Sequence, residues 1–137
     1  MSQAAQQYLA LTAPANADLL GFLALPNNTT VAQAKTAAAK VAADEVTLVA
    51  ALKKGTWPAA AQPTLTTLES TMGRELIVYK ACATDTSITA IKRTLTQGQA
   101  AIAARAAASA QVRAALGVPA PTAPATNSAT PSGSAAA

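Results

Sequence analysis

The chain has 137 residues, which is enough for one domain with a real core even if a terminal segment lies outside it. Hydrophobic residues make up 51% of the chain, but 39 residues are Ala and only four are aromatic, so we expect a thin core of closely approaching helices. The net charge of +4 comes from basic residues scattered over three helices without interleaved aromatics, a pattern typical of a solvated polar face that makes nucleic-acid binding unlikely.

The first predicted helix covers residues 3–25. Its apolar stripe consists of Tyr8, Leu11, Ala15, Leu19 and Phe22. The stripe keeps its phase through Pro14, which predicts one kinked helix, while two shorter helices joined near Thr12 are the alternative. Pro26 ends the element, and residues 27–29 are expected to form the turn rather than serve as a glycosylation acceptor, although Asn27 and Asn28 both stand in N-x-T sequences.

The second predicted helix covers residues 30–54, with Thr30 and Gln33 in capping-box spacing and Gly55 as a left-handed C-terminal cap. Its apolar stripe consists of Ala34, Ala38, Val41, Leu48 and Leu52. Glu45 is the only polar residue on that stripe. We interpret Glu45 as a boundary residue beside Asp44, with a buried functional carboxylate as the alternative.

The third predicted helix covers residues 58–84 and opens with Pro58 in its first turn. Trp57 is expected to anchor the hinge before it, with a place in a ligand groove as the alternative, and Pro63 is expected to bend the helix early. The apolar stripe consists of Leu65, Leu68, Met72, Leu76, Tyr79 and Ala83. Glu75 and Arg74 are interpreted as solvated, with pairing to Lys80 or a neighbouring helix open to them.

The fourth predicted helix, residues 87–116, is the longest, and Gly117 and Pro119 end it. We expect small residues on its inner face, Gly98, Ala106 and Ser109, to draw it close to its partners. Short connections make sequential helices antiparallel neighbours. The predicted fold is therefore all-α, an up-down-up-down four-helix bundle over residues 1–118.

Residues 119–137 contain only small and polar residues and Pro, without a charge. We predict a flexible low-complexity tail, because such a segment cannot offset the entropy of ordering. Its Ser, Thr and Pro content is also typical of O-glycosylated segments of exported proteins.

The residue types that carry most chemistry are missing. The chain has no His, and Cys82 is its single Cys, so no disulfide, zinc or haem-attachment pattern exists in the sequence. No phosphate loop, nucleophile elbow or dinucleotide motif is present. We expect a non-enzymatic protein without a metal or cofactor, in which Cys82 is a small core residue rather than a reactive thiol.

Three segments carry a resemblance: Tyr8-Leu9-Ala10 with residues 14–17, Gly55-Thr56-Trp57-Pro58, and residues 112–119. Together they resemble Ala-rich helical secreted proteins and putative lipoproteins of high-GC actinobacteria, over most of residues 4–119. The resemblance implies a helical domain exposed at the cell envelope, with no assigned activity.

Localisation has two alternatives. No uncharged run is apolar enough to span a bilayer, and the residues after Met1 show neither a signal peptide nor a lipobox. The resemblance implies an exported, envelope-associated protein whose export signal is not in this sequence; the alternative is a cytoplasmic protein.

The predicted function is an interaction or structural module with an unknown protein partner. The alternative is a carrier of a small apolar ligand, because kinks at Pro14 and Pro63 leave room between Ala-lined helices. The candidate ligand-binding residues are Tyr8, Phe22, Met72 and Tyr79.

Overall fold

The computed structural model describes residues 1–120, and within that range the chain is helical and has no strand. Its five α-helices are α1 (Gln3–Leu23), α2 (Val31–Lys54), α3 (Gln62–Thr84), α4 (Ile88–Gln97) and α5 (Gln99–Leu116), with a short 3-10 helix at Ala59–Ala61. The all-α prediction is confirmed. The four predicted helices become five, because the helix expected over residues 87–116 is divided in two.

Helix α3 packs against α2, α5 and α4. Helix α1 packs on α2 and makes a smaller contact with α5. A hydrogen bond of 3.0 Å between the Tyr8 hydroxyl and the Ser109 hydroxyl joins α1 to α5 across this smaller contact. Helices α1 and α2 therefore each have two helical neighbours, whereas α3 and α5 also contact α4.

Helix α1 is one helix with Pro14 inside it, as the unbroken apolar phase predicts, and the alternative of two helices joined near Thr12 is wrong. It ends at Leu23, two residues before the predicted end at 25, and Pro26 follows in the turn. The capping box of α2 is confirmed, since the Gln33 amide donates to the Thr30 hydroxyl and the Thr30 amide donates to the Gln33 side chain.

The connection from α2 to α3 differs from the prediction. Gly55 is extended, with φ −68° and ψ 155°, so it is not the left-handed cap we expected. A side chain is excluded there for another reason, because a Cβ on Gly55 would lie 2.7 Å from the Trp57 indole. Trp57 is buried and its Nε1 donates to the Leu52 carbonyl at 2.7 Å, so the indole folds back on the end of α2.

Helix α3 begins at Gln62 rather than at residue 58, because the chain first makes the 3-10 turn at Ala59–Ala61. Pro63 therefore stands in the first turn of α3, where its missing N–H costs no helical hydrogen bond, and it does not bend the helix.

The break between α4 and α5 lies at Gly98, which ends one helix and begins the other. A Cβ on Gly98 would lie 2.6 Å from the methyl groups of Val78, so the glycine allows close approach to α3, as predicted. Backbone hydrogen bonds continue on both sides of Gly98. Its N–H donates to the Thr94 carbonyl, and its carbonyl accepts from the Ile102 N–H. Beyond the break, Arg105 and Ala108 are buried and Ala106 is exposed, so the predicted inward position of Ala106 is wrong.

The buried side chains form two cores. The Trp57 core contains Tyr8, Leu48, Leu52, Trp57, Leu65, Leu68, Met72 and Val112, among others. The Phe22 core contains Phe22, Ala34, Ala38, Val41, Tyr79, Cys82 and Ile91, among others. Each core has one edge-to-face aromatic pair: Tyr8 with Trp57 at 6.5 Å, and Phe22 with Tyr79 at 5.9 Å.

The predicted tail falls almost wholly on residues 121–137, which lie outside the described residues. Among the helices of residues 1–120, none combines the length and apolar character needed to cross a membrane.

Candidate functional site

A layer of polar side chains separates the two cores. On α2, Glu45 lies between Ala42 of the Phe22 core and Leu48 of the Trp57 core. On α3, Glu75 lies between Met72 and Tyr79, and on α5, Arg105 lies between Ile102 and Ala108. Asn16 of α1 completes what we call the polar layer (Asn16, Glu45, Glu75 and Arg105), so each long helix contributes one member.

Arg105 is the centre of the polar layer. Its Nη2 lies 3.4 Å from Glu45 Oε1, and its Nη1 donates to Asn16 Oδ1 at 3.5 Å. Arg105 is 7% exposed, Glu45 1% and Glu75 0%, so one buried cation faces two buried carboxyl groups. Burying a charge is costly unless it is paired, and here the single guanidinium pairs with Glu45.

Glu75 is therefore the uncompensated member. Among residues 1–120, no group completes a hydrogen bond to either of its carboxyl oxygens. Burial, and then the charge of Glu45, raises the pKa of Glu75 to about 7, although Arg105 and the nearby Tyr79 hydroxyl act in the opposite direction. Burial likewise raises the pKa of Glu45, with Arg105 opposing. Burial and the Glu75 carboxyl raise the pKa of Tyr79.

A second acidic pair lies at the edge of α1 and α2, near the polar layer. The neighbouring Asp44 carboxyl and Lys40 lower the pKa of Asp18, while the Asp18 carboxyl and burial raise the pKa of Asp44. The Nζ of Lys40 lies 3.3 Å from the Oδ1 of Asp18. No cluster of three or more metal-ligating His, Cys, Asp or Glu side chains occurs among residues 1–120.

The Phe22 core is open at one end of the molecule. A cavity of about 200 Å³ lies between the end of α1, the start of α2 and helix α4. We call it the end groove, and its lining residues are Phe22, Leu23, Leu25, Pro26, Asn27, Thr29, Ala34, Ile88, Ile91, Lys92 and Leu95. Its walls are aliphatic and aromatic, and its polar groups are confined to Asn27, Thr29 and Lys92.

The local sequence explains why the groove exists. Pro26 lies in the turn after α1, so the chain changes direction before α2 begins and Leu23 at the end of α1 stays partly exposed. Helix α4 has only ten residues, and it is tied to the preceding turn by a 2.7 Å hydrogen bond from the Thr94 hydroxyl to Asp85. Small Ala34 at the base leaves space between these elements. The volume exceeds the roughly 150 Å³ cavity that holds benzene in other proteins, and it is smaller than a drug-sized pocket.

The four predicted ligand-binding residues do not form one site. Tyr8 and Met72 lie in the Trp57 core, while Phe22 and Tyr79 lie in the Phe22 core. Only Phe22 lines the end groove. The kink residue Pro14 borders a smaller depression of about 110 Å³ between α1 and α2, which contains none of the four.

The structure also tests the predictions for Glu45, Glu75, Cys82 and Trp57. Glu45 and Glu75 are fully buried, so the interpretation of Glu45 as a boundary residue and of Glu75 as a solvated residue is wrong. Cys82 is confirmed as a core residue, because it is 0% exposed and burial raises its pKa to about 11. Trp57 is confirmed as an anchor of the hinge.

Sequence reasoning missed the polar layer and the end groove. A signal for Glu45 was present, since it interrupts an otherwise apolar stripe. Arg105 had no such signal, because it stands among Ala residues that fit any face of a helix.

Comparison with protein-family models, with curated proteins and with solved structures finds no match for this chain. The resemblance to actinobacterial envelope proteins accordingly stays a prediction.

Proposed function

We propose that the protein is a non-enzymatic binding protein that carries a small apolar ligand in its end groove. The observation that supports the proposal is the groove itself, an apolar cavity of about 200 Å³ that is open to solvent and lies on packed helices. Ile88, Ile91 and Leu95 of α4 form one wall, and Phe22 and Leu23 of α1 form another.

The size of the groove limits the ligand. A volume of about 200 Å³ accommodates a single ring or one short alkyl chain, rather than a large cofactor. We therefore expect a simple probe such as 1-octanol to bind with a dissociation constant of about 1 mM, equivalent to about 4 kcal/mol.

The test is a titration of the full chain with 1-octanol, followed by NMR of the methyl groups. We expect saturable shifts at Ile88, Ile91 and Leu95, because these side chains line the groove. The variant Ala34→Leu fills the base of the groove and should weaken binding. Ala50→Leu makes the same change at an exposed position of α2 and should not. Shifts spread over the whole molecule, or absent in the wild type, would contradict the proposal whether or not Ala34→Leu folds.

The second candidate function is an interaction module with a protein partner, and Leu20 favours it. Leu20 is 67% exposed and Leu23 is 47% exposed, one turn apart on α1. Leu23 also lines the groove, so the two residues extend the apolar surface from the groove onto the outside of α1.

The two functions are separable because Leu20 does not line the cavity. Cross-linking of envelope fractions should capture a partner with the wild type and lose it with Leu20→Ser, while 1-octanol binding is unchanged. Ile77→Ser is the matched control, since Ile77 on α3 is equally exposed at 69%. Equal capture by all three proteins would exclude this surface as the interaction site.

We also propose that the helices form a four-helix bundle in which α4 and α5 act as one bent helix. The contacts of α1 with α2, α2 with α3, α3 with α5 and α5 with α1 support this arrangement. The close approach of Gly98 to Val78 accounts for the bend.

The proposed location is the bacterial cell envelope, reached by export and, if the chain is a lipoprotein, held by a lipid anchor. The support is the resemblance of residues 4–119 to envelope proteins. Native mass spectrometry of the protein from its own source tests it: a lipid or glycan on a terminus supports export, and an unmodified chain beginning at Met1 supports the cytoplasm.

A further inference from the structure

Lys92 is the one charged residue among residues 1–120 that lines the end groove. The chain has six acidic residues, all within residues 1–120, and none of them lines the groove. Lys92 does line it, so its apolar stem can cover part of the wall while its ammonium group stays at the rim. The ion pairs within residues 1–120 are Lys40 with Asp18 and Arg105 with Glu45, which leaves Lys92 without a carboxylate partner there.

The start of α2 adds to this positive character. Thr29 lines the groove, and α2 begins two residues later at Val31, so the positive end of the helix dipole lies beside the cavity. The first turn of α2 contains no acidic side chain that would neutralise the dipole. The first turn of α4, which forms the other wall, contains none either.

These observations fit a ligand with two unlike ends. The apolar walls recognise a short hydrocarbon chain, and the rim is suited to one negative charge. From this combination we infer that the groove binds medium-chain alkyl carboxylates such as octanoate, with the chain against Phe22 and Ile91 and the carboxylate beside Lys92. The inference rests on the proposed function, and it adds the chemical class of the ligand.

The test compares three probes that share one chain and differ in charge: octanoate, 1-octanol and octylammonium. Each is titrated into the full chain at neutral pH, below its micelle concentration, with methyl shifts of Ile88 and Ile91 as the signal. We expect octanoate to bind about threefold more tightly than 1-octanol, since an exposed ion pair contributes an effect of that size. Octylammonium should bind more weakly than either.

Lys92→Gln should abolish the preference for octanoate over 1-octanol, measured as the ratio of the two affinities in the same variant, because Lys92 itself lines the groove. Lys54→Gln is the matched control, because it removes the same charge at the opposite end of α2 and should keep the preference. Raising the salt concentration should reduce the preference in the wild type, since salt screens exposed charges.

The outcomes separate the two levels of the argument. Equal binding of all three probes, or an octanoate preference that survives in Lys92→Gln, would overturn the carboxylate inference and leave the apolar carrier standing. Failure of 1-octanol and octanoate alike would overturn the carrier, and the inference with it.

Discussion

The Trp57 core and the Phe22 core are built from the same Ala-rich helices, yet one is closed at its end and the other is open. Trp57 covers the end of α2, and Gly55 has no side chain that would prevent this. At the opposite end the chain turns at Pro26, and the short helix α4 leaves the end groove uncovered. In a chain with four aromatic residues, the position of a single indole accounts for which end of the helices is covered.

The polar layer separates the Trp57 core from the Phe22 core. It places one buried cation and two carboxyl groups where a continuous core would have apolar side chains. A buried ion pair adds little net stability, and we infer that this one favours a single register of the helices, because a slip would separate Arg105 from Glu45. The difference between the two halves therefore depends on the polar layer as well as on Trp57.

The largest expected effect comes from removing the cation of the polar layer. Arg105→Met leaves Glu45 and Glu75 buried without a countercharge, and we expect the free energy of unfolding at pH 7 to fall by about 3–5 kcal/mol. Denaturant unfolding measures this loss. Arg93→Met, at an exposed position of α4, is the control and should change stability by less than about 0.5 kcal/mol. Equal losses in the two variants would mean that Arg105 is not needed as the countercharge of the buried carboxyl groups.

The next effect is a dependence of stability on pH. The pKa of Glu75 is raised from 4.5 to about 7 in the folded state, so its contribution is fully present below pH 4.5 and is lost as pH rises through about 7. The free energy of unfolding should therefore fall by up to about 3 kcal/mol across that window, relative to Glu75→Gln, in which this group cannot titrate. Unfolding curves at intervals across the window measure the difference. Parallel pH profiles of the two proteins would contradict the burial of an unpaired Glu75.

Gly98 lies close to Val78 beside the Phe22 core, and a substitution there tests how tightly this part of the molecule is packed. Gly98→Ala places a methyl group against Val78, whose branched side chain has little rotamer freedom on a helix, and should cost about 1–3 kcal/mol. Gly73→Ala has no neighbour within 4 Å and should stabilise by about 0.5–1 kcal/mol. Thermal unfolding of both variants checks the opposite signs. A higher melting temperature for Gly98→Ala would show that the packing of α4 on α3 does not require a glycine at this position.

The smallest expected effect tests whether a change in the Trp57 core alters ligand binding beside the Phe22 core. Trp57→Phe removes the hydrogen bond to the Leu52 carbonyl and should cost about 1 kcal/mol. It should leave 1-octanol binding at the end groove unchanged, because Trp57 lies in the other core. A change in the affinity for 1-octanol would show that the two halves are coupled across the polar layer.

Much of the fold follows from local sequence signals. The capping box at Thr30 and Gln33, the turn after Pro26 and the left-handed cap at Gly117 are recognisable because each depends on residues close in the chain. Gly55 shows the limit of this reasoning. Its position after Lys53 and Lys54 is typical of a left-handed cap, but the glycine is required by an indole two residues away.

The polar layer was harder to predict for a physical reason. Charged residues are usually exposed, so the sequence predicts a solvated Glu75, gives the inward position to Leu76, and places the basic residues on a solvated polar face. Only the meeting of three helices makes these burials possible, since Arg105 lies sixty residues from its partner Glu45. The end groove is hard to predict for the same reason, because it forms where the end of α1 and the start of α2 meet helix α4, which is distant in the sequence.

The most direct test of the account is an NMR comparison of the two cores with xenon dissolved under pressure, since xenon enters apolar cavities without regard to charge. We predict saturable methyl shifts at Ile88 and Ile91 of the Phe22 core and none at Leu65 and Leu68 of the Trp57 core. Equal shifts in both cores, or none in either, would contradict the claim that one half is closed and the other is built to bind.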